Sequence, residues 1–172
     1  MTLILELIKL LLPSLVVVLA VDRVMRWNWR KQESQQAHKL KLETEKQLLT
    51  IRLQAAERMV LFLERISPEA LLHRIAEPGM SAKTLHLALL TSIRAEYEHN
   101  FSQQLYIDEN VWAAIRSAKE EVVALTNSAG QQCDEQGSSL DFSRALLELI
   151  QKQSNYPTAA ALALLRKSIQ NL

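Results

Sequence analysis

Residues 42–66, LETEKQLLTIRLQAAERMVLFLERI, indicate a helical fold because their apolar side chains recur at helical steps. One row, with steps of three, four and seven residues, comprises Leu42, Leu49, Leu53, Ala56, Val60 and Leu63. A second row beside it comprises Leu48, Ile51, Ala55, Met59, Phe62 and Ile66. Such spacing is typical of an amphipathic helix. Since two rows form a wide stripe, the stretch predicts a helix that enters a multi-helix bundle.

The chain after this stripe divides into further helices at Ser, Asp, Pro and Gly residues. Ser67-Pro68-Glu69 is a strong helix start, and Glu77-Pro78-Gly79 ends that short helix after Ala76. We expect the others at 81–107 with Ser81 as N-cap, at 108–130 with Asp108 as N-cap and Gly130 as stop, at 140–153 and at 158–170. Residues 130–139 form the predicted loop. No stretch alternates as a strand would, so the fold class is all-α.

Composition narrows the class of protein. Of 172 residues 48% are hydrophobic and 23% are charged, and the net charge is +1, which excludes a disordered polyelectrolyte. The near-neutral balance argues against a dedicated nucleic-acid binder. A single cysteine, Cys133, excludes an internal disulfide framework and a Cys-based zinc site. We expect its acidic neighbours Asp134 and Glu135 to raise its pKa rather than activate it.

Residues 3–21, LILELIKLLLPSLVVVLAV, predict a membrane-spanning helix. At a rise of about 1.5 Å per residue they extend roughly 28 Å, close to the hydrocarbon thickness of a bilayer. Glu6 and Lys9 lie three residues apart and can pair on one face. A cleavable signal peptide is disfavoured because the basic cluster follows the apolar run rather than preceding it. An interfacial or buried helix stays open as an alternative, since the uninterrupted run 10–21 is short.

The flank of this run predicts the orientation. Residues 22–31 carry four basic residues and one acidic residue, or +3, whereas 32–172 carry 15 basic and 17 acidic residues, or −2. The positive-inside rule places this flank in the cytoplasm, and tryptophans favour the membrane interface. The predicted interface residues are Arg23, Arg26, Trp27, Trp29, Arg30 and Lys31. We expect a single-pass protein of the inner (cytoplasmic) membrane, with its N-terminus outside and its C-terminal domain in the cytoplasm.

The resulting organisation has three parts. Residues 1–22 are the transmembrane anchor, 23–47 are a basic juxtamembrane segment and polar helical stalk, and 48–172 are a compact cytoplasmic bundle of about five helices. Residues 31–66 contain no Gly or Pro, so we expect one long helix to run from the stalk into the bundle.

Two clusters in one stretch are candidate sites. Glu96 and His99 form an E-x-x-H pair; di-iron bundles use two such pairs and two further Glu, and this chain has one pair. A ferritin-like metal-binding bundle is therefore the alternative function. The competing interpretation of the same residues is a polar cluster that binds no metal. The same stretch predicts a partner-binding face, with aromatic anchors among amides. Its residues are Tyr97, His99, Asn100, Phe101, Gln103, Gln104 and Tyr106. The competing interpretation is a helix whose amides face water.

Three phrases carry a resemblance to a known family: RLQAAERMVLFLERI at 52–66, ERISPE at 64–69 and EYEHNFSQQLY at 96–106. The chain resembles an uncharacterised Bacteroidetes family of N-terminally membrane-anchored helical proteins, a domain of unknown function. The resemblance covers nearly the whole chain. It implies a topology and supplies no activity, cofactor or catalytic residue.

These observations predict a membrane-anchored helical interaction or scaffold protein of unknown pathway, and not an enzyme. The expected partners are the lipid bilayer and either another protein or further copies of the chain. We expect no cofactor, no nucleic acid and no small-molecule substrate. If the stripe on 42–66 forms a homodimer, a charge at its centre, Ala56→Glu, should dissociate it.

Overall fold

A computed structural model of the chain describes residues 2–134 and 137–170. Within its first helix the side chains of 2–16, 18–20, 28, 30, 33, 34 and 37 lie outside this description. The described residues are helical and contain no strand, so the all-α prediction is confirmed. The elements in chain order are α1 (Thr2–Arg65), α2 (Pro68–Ile75), α3 (Ala82–Asn100), a 3-10 helix (Phe101–Leu105), α4 (Glu109–Gln132), α5 (Ser139–Gln151) and α6 (Ala159–Gln170).

The chain divides into two units, Met1–Leu48 and Leu49–Leu172. The first unit consists of the N-terminal part of α1. The second unit contains the rest of α1 and all later helices, and it holds the hydrophobic core.

Helix α4 is the central helix of the second unit, since it packs against α3, α5 and α6. The inward residues of α4 repeat at helical steps and include Val111, Ile115, Val122 and Leu125. The C-terminal part of α1 contributes Met59, Phe62, Leu63 and Ile66 to the same core. The wide stripe therefore enters a multi-helix bundle, as its two rows predict.

Two predicted helix ends differ from the structure. Helix α3 ends at Asn100 instead of 107, because the Asn100 side-chain amide donates to the Glu96 carbonyl oxygen (2.9 Å) and the backbone tightens into the 3-10 helix. Helix α4 continues past Gly130 to Gln132, so Gly130 is not its stop. A Cβ atom on Gly130 would lie 3.1 Å from the His86 ring, which shows that glycine here allows a close packing contact.

The residues directly before α5 are held by hydrogen bonds that the spacing of apolar residues does not predict. Ser138 and Asp141 form a capping box, in which the Ser138 hydroxyl oxygen accepts from the Asp141 N–H (3.2 Å). The Ser138 side chain and backbone both donate to the Asp141 carboxylate, which lowers its pKa. The Ala82 N–H donates to the Gly137 carbonyl oxygen (2.8 Å), and the Ser139 N–H donates to that of Met80 (3.0 Å). The N-termini of α3 and α5 are thereby held side by side.

Among the described residues, no helix combines the length and the apolar character needed to cross a bilayer. The predicted anchor at 1–22 falls largely on residues whose side chains lie outside the description. It stays a prediction.

Candidate functional site

A cluster of four aromatic rings lies where α3 ends and α4 begins. The Tyr97 ring is at its centre, with centroids 6.0 Å from Phe62, 6.0 Å from Trp112 and 5.6 Å from Phe101. The Tyr97 and Trp112 planes are nearly parallel, at 25°, whereas Phe101 meets both rings edge to face. Such arrangements add to the stability that burial alone provides. Phe62 and Trp112 are buried, so the cluster is rooted in the core.

The 3-10 helix that follows α3 and its C-cap carry exposed apolar side chains, which we call the 3-10 surface: Phe101, Leu105 and Tyr106. Leu105 is 77% exposed, Phe101 46% and Tyr106 39%. All three belong to the 3-10 helix or its C-cap, where the Tyr106 N–H donates to the Gln103 carbonyl oxygen (3.0 Å). An exposed large apolar group on a buried aromatic base is a common feature of protein-binding surfaces.

The ammonium group of Lys119 contacts the Tyr97 ring of the cluster. The Lys119 Nζ lies 4.4 Å from the Tyr97 ring centroid and 2.6 Å from the Glu120 Oε1. A cation at this distance from a ring face is attracted to its electron density. The contact fixes the Tyr97 ring from α4, while Phe62 contacts it from α1. The Tyr97 ring, at the centre of the cluster, is therefore held from two elements besides its own helix.

The predicted partner-binding residues separate into two groups. Tyr97 and Phe101 lie in the aromatic cluster, and Tyr106 is the C-cap of the 3-10 helix. His99 is exposed, and Gln103 and Gln104 are half-buried. Asn100 is buried and is used by its own helix, so it does not face a partner. Leu105 and Trp112 belong to the surface and its base but were not predicted.

Within the described residues, the E-x-x-H pair is not joined by further metal-ligating side chains. Glu96 Oε1 accepts hydrogen bonds from Arg65 Nε (2.8 Å) and Arg74 Nη1 (3.5 Å), and Arg74 also donates to the Ser92 hydroxyl oxygen (2.9 Å). Within the part of the chain that the structure describes, no three His, Cys, Asp or Glu side chains come together as a metal site would require. The Glu96 carboxylate is instead paired with two guanidinium groups, those of Arg65 and Arg74, through which it joins α3 to α1 and α2. His99 is exposed.

Cys133 lines a small pocket, and its surroundings raise the pKa of its thiol. A cavity of about 170 Å³ is lined by His86, Gly130, Cys133 and Phe142 among others. Burial raises the pKa of the Cys133 thiol first, and Asp141 and Asp134 raise it further. The sequence also predicts a raised pKa for this thiol, although it does not predict the contribution of the Asp141 carboxylate. His86 Nε2 lies 3.0 Å from Asn127 Oδ1, and the centroid of the His86 ring lies 5.8 Å from that of Phe142, with the two planes tilted by 35°.

The residues predicted at the membrane interface are exposed where their side chains are described. Trp27 and Trp29 are exposed by about two thirds, and Arg23 is exposed as well. Arg26 forms an ion pair with Asp22 one turn earlier (2.5 Å), and the Lys31 Nζ lies 5.6 Å from the Trp27 ring centroid. The side chain of Arg30 lies outside the described residues.

One comparison identifies the family. The model of a family of unknown function, DUF7935, matches residues 2–172. The chain belongs to this family. Membership in DUF7935 confirms the resemblance to an uncharacterised family over the whole chain, while the Bacteroidetes origin and the membrane anchor stay predictions. No curated protein and no solved structure matches the chain.

Proposed function

We propose that this DUF7935 protein is a single-span membrane-anchored adaptor whose helical domain binds another protein through the 3-10 surface. The observation that carries the proposal is the exposure of Leu105, the most exposed of the large apolar side chains in the described chain, in the same 3-10 helix as Phe101, whose ring packs on Tyr97. The proposed role is one of recruitment rather than catalysis.

The packing around the 3-10 surface favours binding for an energetic reason. Association costs free energy when side chains must be immobilised at the interface. Here Tyr97 is held by Phe62, Trp112 and Lys119 before any partner arrives. Large aromatic groups that are fixed in place are the residues that contribute most to binding energy at protein interfaces. A partner would therefore gain apolar contacts with Phe101 and Leu105 at a small entropic cost.

Membrane anchoring is supported by the sequence of 3–21 and by its flank. The run is long enough to span a bilayer, and the basic residues that follow it are interleaved with tryptophans. Exposed Trp27 and Trp29, together with Arg23 and Arg26, offer amphipathic rings and cations at the level where headgroups would lie. The positive-inside rule then places the helical domain in the cytoplasm, at the inner membrane.

Leu105→Glu is expected to abolish partner capture while leaving the domain folded. Its side chain is mostly exposed, so the free energy of unfolding should change by less than about 0.5 kcal/mol. A charge at the centre of an apolar interface should weaken binding by about 2 kcal/mol or more, roughly thirtyfold. The measurement is quantitative mass spectrometry of proteins co-purified from mildly solubilised membranes.

The matched control is Leu140→Glu, which places the same charge on an exposed leucine of α5. Proteins that are lost with Leu105→Glu but retained with Leu140→Glu are partners of the 3-10 surface. If both variants capture the same proteins as the parent chain, this surface does not bind a partner and the proposal is wrong.

The double variant Leu11→Arg, Leu12→Arg is expected to release the protein from membranes. Each arginine near the middle of a spanning helix costs about 2.5–3.5 kcal/mol of insertion free energy. The measurement is the fraction that sediments with membranes after alkaline carbonate extraction. The control Gln35→Arg, Gln36→Arg adds the same charge beyond the predicted span and should stay in the pellet. Recovery of the parent chain in the carbonate supernatant would contradict the anchor.

A further inference from the structure

We propose that the partner of the 3-10 surface is a segment of another protein that combines apolar side chains with lysines or arginines. This inference rests on the proposed function, because it names the chemistry of the partner that the same surface binds. It is carried by the exposed apolar side chains of the surface, by the acidic residues on both sides of the 3-10 helix, and by the contacts that engage the nearby cations.

The acidic character is local to the stretch that carries the surface. Residues 95–115 contain four acidic residues and no lysine or arginine, whereas the rest of the chain carries 20 basic and 15 acidic residues, or +5. The stretch includes the end of α3, the whole 3-10 helix and the start of α4. The exposed apolar side chains therefore lie in the part of an otherwise basic chain that is most depleted of cations.

Three of these carboxylates form what we call the acidic rim: Glu98, Asp108 and Glu109, all of them exposed. Glu98 lies one helical turn before Phe101, whose N–H donates to the Glu98 carbonyl oxygen, so their Cβ atoms are about 5–6 Å apart. Asp108 and Glu109 follow Tyr106 closely in the chain, which limits their Cα atoms to about 7 and 11 Å from that of Tyr106. Since the Debye length at physiological salt is about 8 Å, these charges act on any partner that contacts the apolar side chains.

The nearby cations are either engaged or further away. Glu96, the fourth carboxylate, is half-buried and pairs with arginines of α1 and α2. Lys119 pairs with the carboxylate of the following residue (2.6 Å), and its ammonium group contacts a ring of the aromatic cluster. Arg94 and Arg116 each lie about 10 Å along their helices, from Phe101 and from the first residue of α4 respectively. The exposed acidic rim is therefore available to the cations of a partner.

This combination of charge and apolar area favours one class of occupant. Carboxylates beside the surface repel the phosphates of nucleic acids and of anionic bilayers. A second copy that docked through the same surface would place the two acidic rims against each other. Complementary potentials across an interface favour the correct partner and accelerate its association. A basic segment with apolar anchors would contact Phe101 and Leu105 while its cations face the acidic rim.

The test is the selection of random peptides, displayed on phage, against the full chain in a mild uncharged detergent. Peptides of about 12 residues are long enough for three helical turns. Clones that bind the parent chain but not the Leu105→Ala variant depend on the 3-10 surface, because this change removes an exposed apolar side chain and leaves the charge unaltered. We expect these clones to carry about two more lysines or arginines, on average, than the unselected library.

The outcome of the selection separates this inference from the proposed function. Clones that depend on Leu105 but show no excess of basic residues would overturn the basic partner and leave the 3-10 surface as a binding site. A selection that yields no clone dependent on Leu105 would overturn the basic partner as well. The adaptor role is decided independently, by the proteins that Leu105→Glu loses in co-purification from membranes.

A charge-neutralised variant tests the acidic rim directly. A selected peptide is synthesised with a fluorophore, and its dissociation constant is measured by fluorescence anisotropy. The variant replaces the three carboxylates by amides of nearly the same shape: Glu98→Gln, Asp108→Asn and Glu109→Gln. We expect the dissociation constant to rise about tenfold at low salt, because three exposed ion pairs are lost and each contributes modestly. The difference from the parent chain should shrink at high salt, which screens exposed charges.

The matched control makes the same change in net charge at three other exposed carboxylates: Glu69→Gln, Glu77→Gln and Glu148→Gln. These residues lie on α2, in the loop that follows it and on α5, none of which supplies a ring to the aromatic cluster. The dissociation constant should rise less than about twofold. Equal losses in the two variants, or an unchanged affinity in the neutralised acidic rim, would overturn the proposal.

Discussion

Replacing Ala56 by glutamate is expected to unfold the helical domain rather than to separate a dimer. Ala56 is 2% exposed and belongs to the core of the second unit, together with Met59 and Leu63. A carboxylate there would be larger than the space that Ala56 fills and would lose its hydration without a partner in the core. The expected loss in free energy of unfolding is about 4 kcal/mol or more.

The measurement is urea denaturation followed by far-UV circular dichroism, in which a stability loss appears as a lower midpoint. Gln54→Glu is the control, because it adds the same charge two residues away on an exposed position. It should shift the free energy of unfolding by less than about 0.5 kcal/mol. A chain with Ala56→Glu that keeps its midpoint and becomes monomeric would show that Ala56 lies in an intermolecular interface after all.

Ala56 illustrates how far the sequence predicts the fold. The spacing within 42–66 predicts an amphipathic helix, and the structure has one. The same spacing cannot tell which leucines pack in the chain's own core and which are left exposed. That division depends on where α2 and the later helices return to α1, which is a matter of long-range packing. The homodimer test at Ala56 was misplaced for this reason, whereas Leu49 lies on the exposed part of the stripe.

The start of α3 could be predicted from a side-chain cap, whereas the end of α4 could not, because a contact with another helix is involved. Ser81 caps α3 through its hydroxyl oxygen, which accepts from the Thr84 N–H (3.1 Å), as its position before the apolar row predicts. Gly130 was predicted to end α4 because glycine is common after helices. Instead it makes room for the ring of His86 from another helix, which a local pattern cannot reveal.

The candidate site shows the same division between local and long-range information. Tyr97 and Phe101 are close in sequence, so the contact between their rings could be predicted. Phe62 could not be placed beside them, because it is separated from Tyr97 by more than thirty residues and by α2. The surroundings of Glu96 could not be predicted for the same reason, since the arginines that pair with it come from distant positions.

Replacing Phe62 by alanine is expected to lower the free energy of unfolding and to loosen the packing beneath the 3-10 surface. The ring is 1% exposed, and its removal should cost about 3–5 kcal/mol through lost burial and a residual cavity. Because Phe62 contacts Tyr97, the loss should also loosen the base on which Phe101 packs. The measurements are urea denaturation and amide hydrogen exchange across Phe101–Leu105.

The control variant Phe142→Ala separates a local effect on the 3-10 surface from a general loss of stability. Phe142 is also fully buried, but its ring lies beside His86 instead of Tyr97. We expect a similar loss in free energy of unfolding. Under conditions where both variants stay folded, amide exchange across Phe101–Leu105 should accelerate more in Phe62→Ala than in Phe142→Ala, because local opening reflects local packing. Equal acceleration in the two variants would mean that the aromatic base does not hold the 3-10 surface in place, and the entropic argument for partner binding there would fail with it.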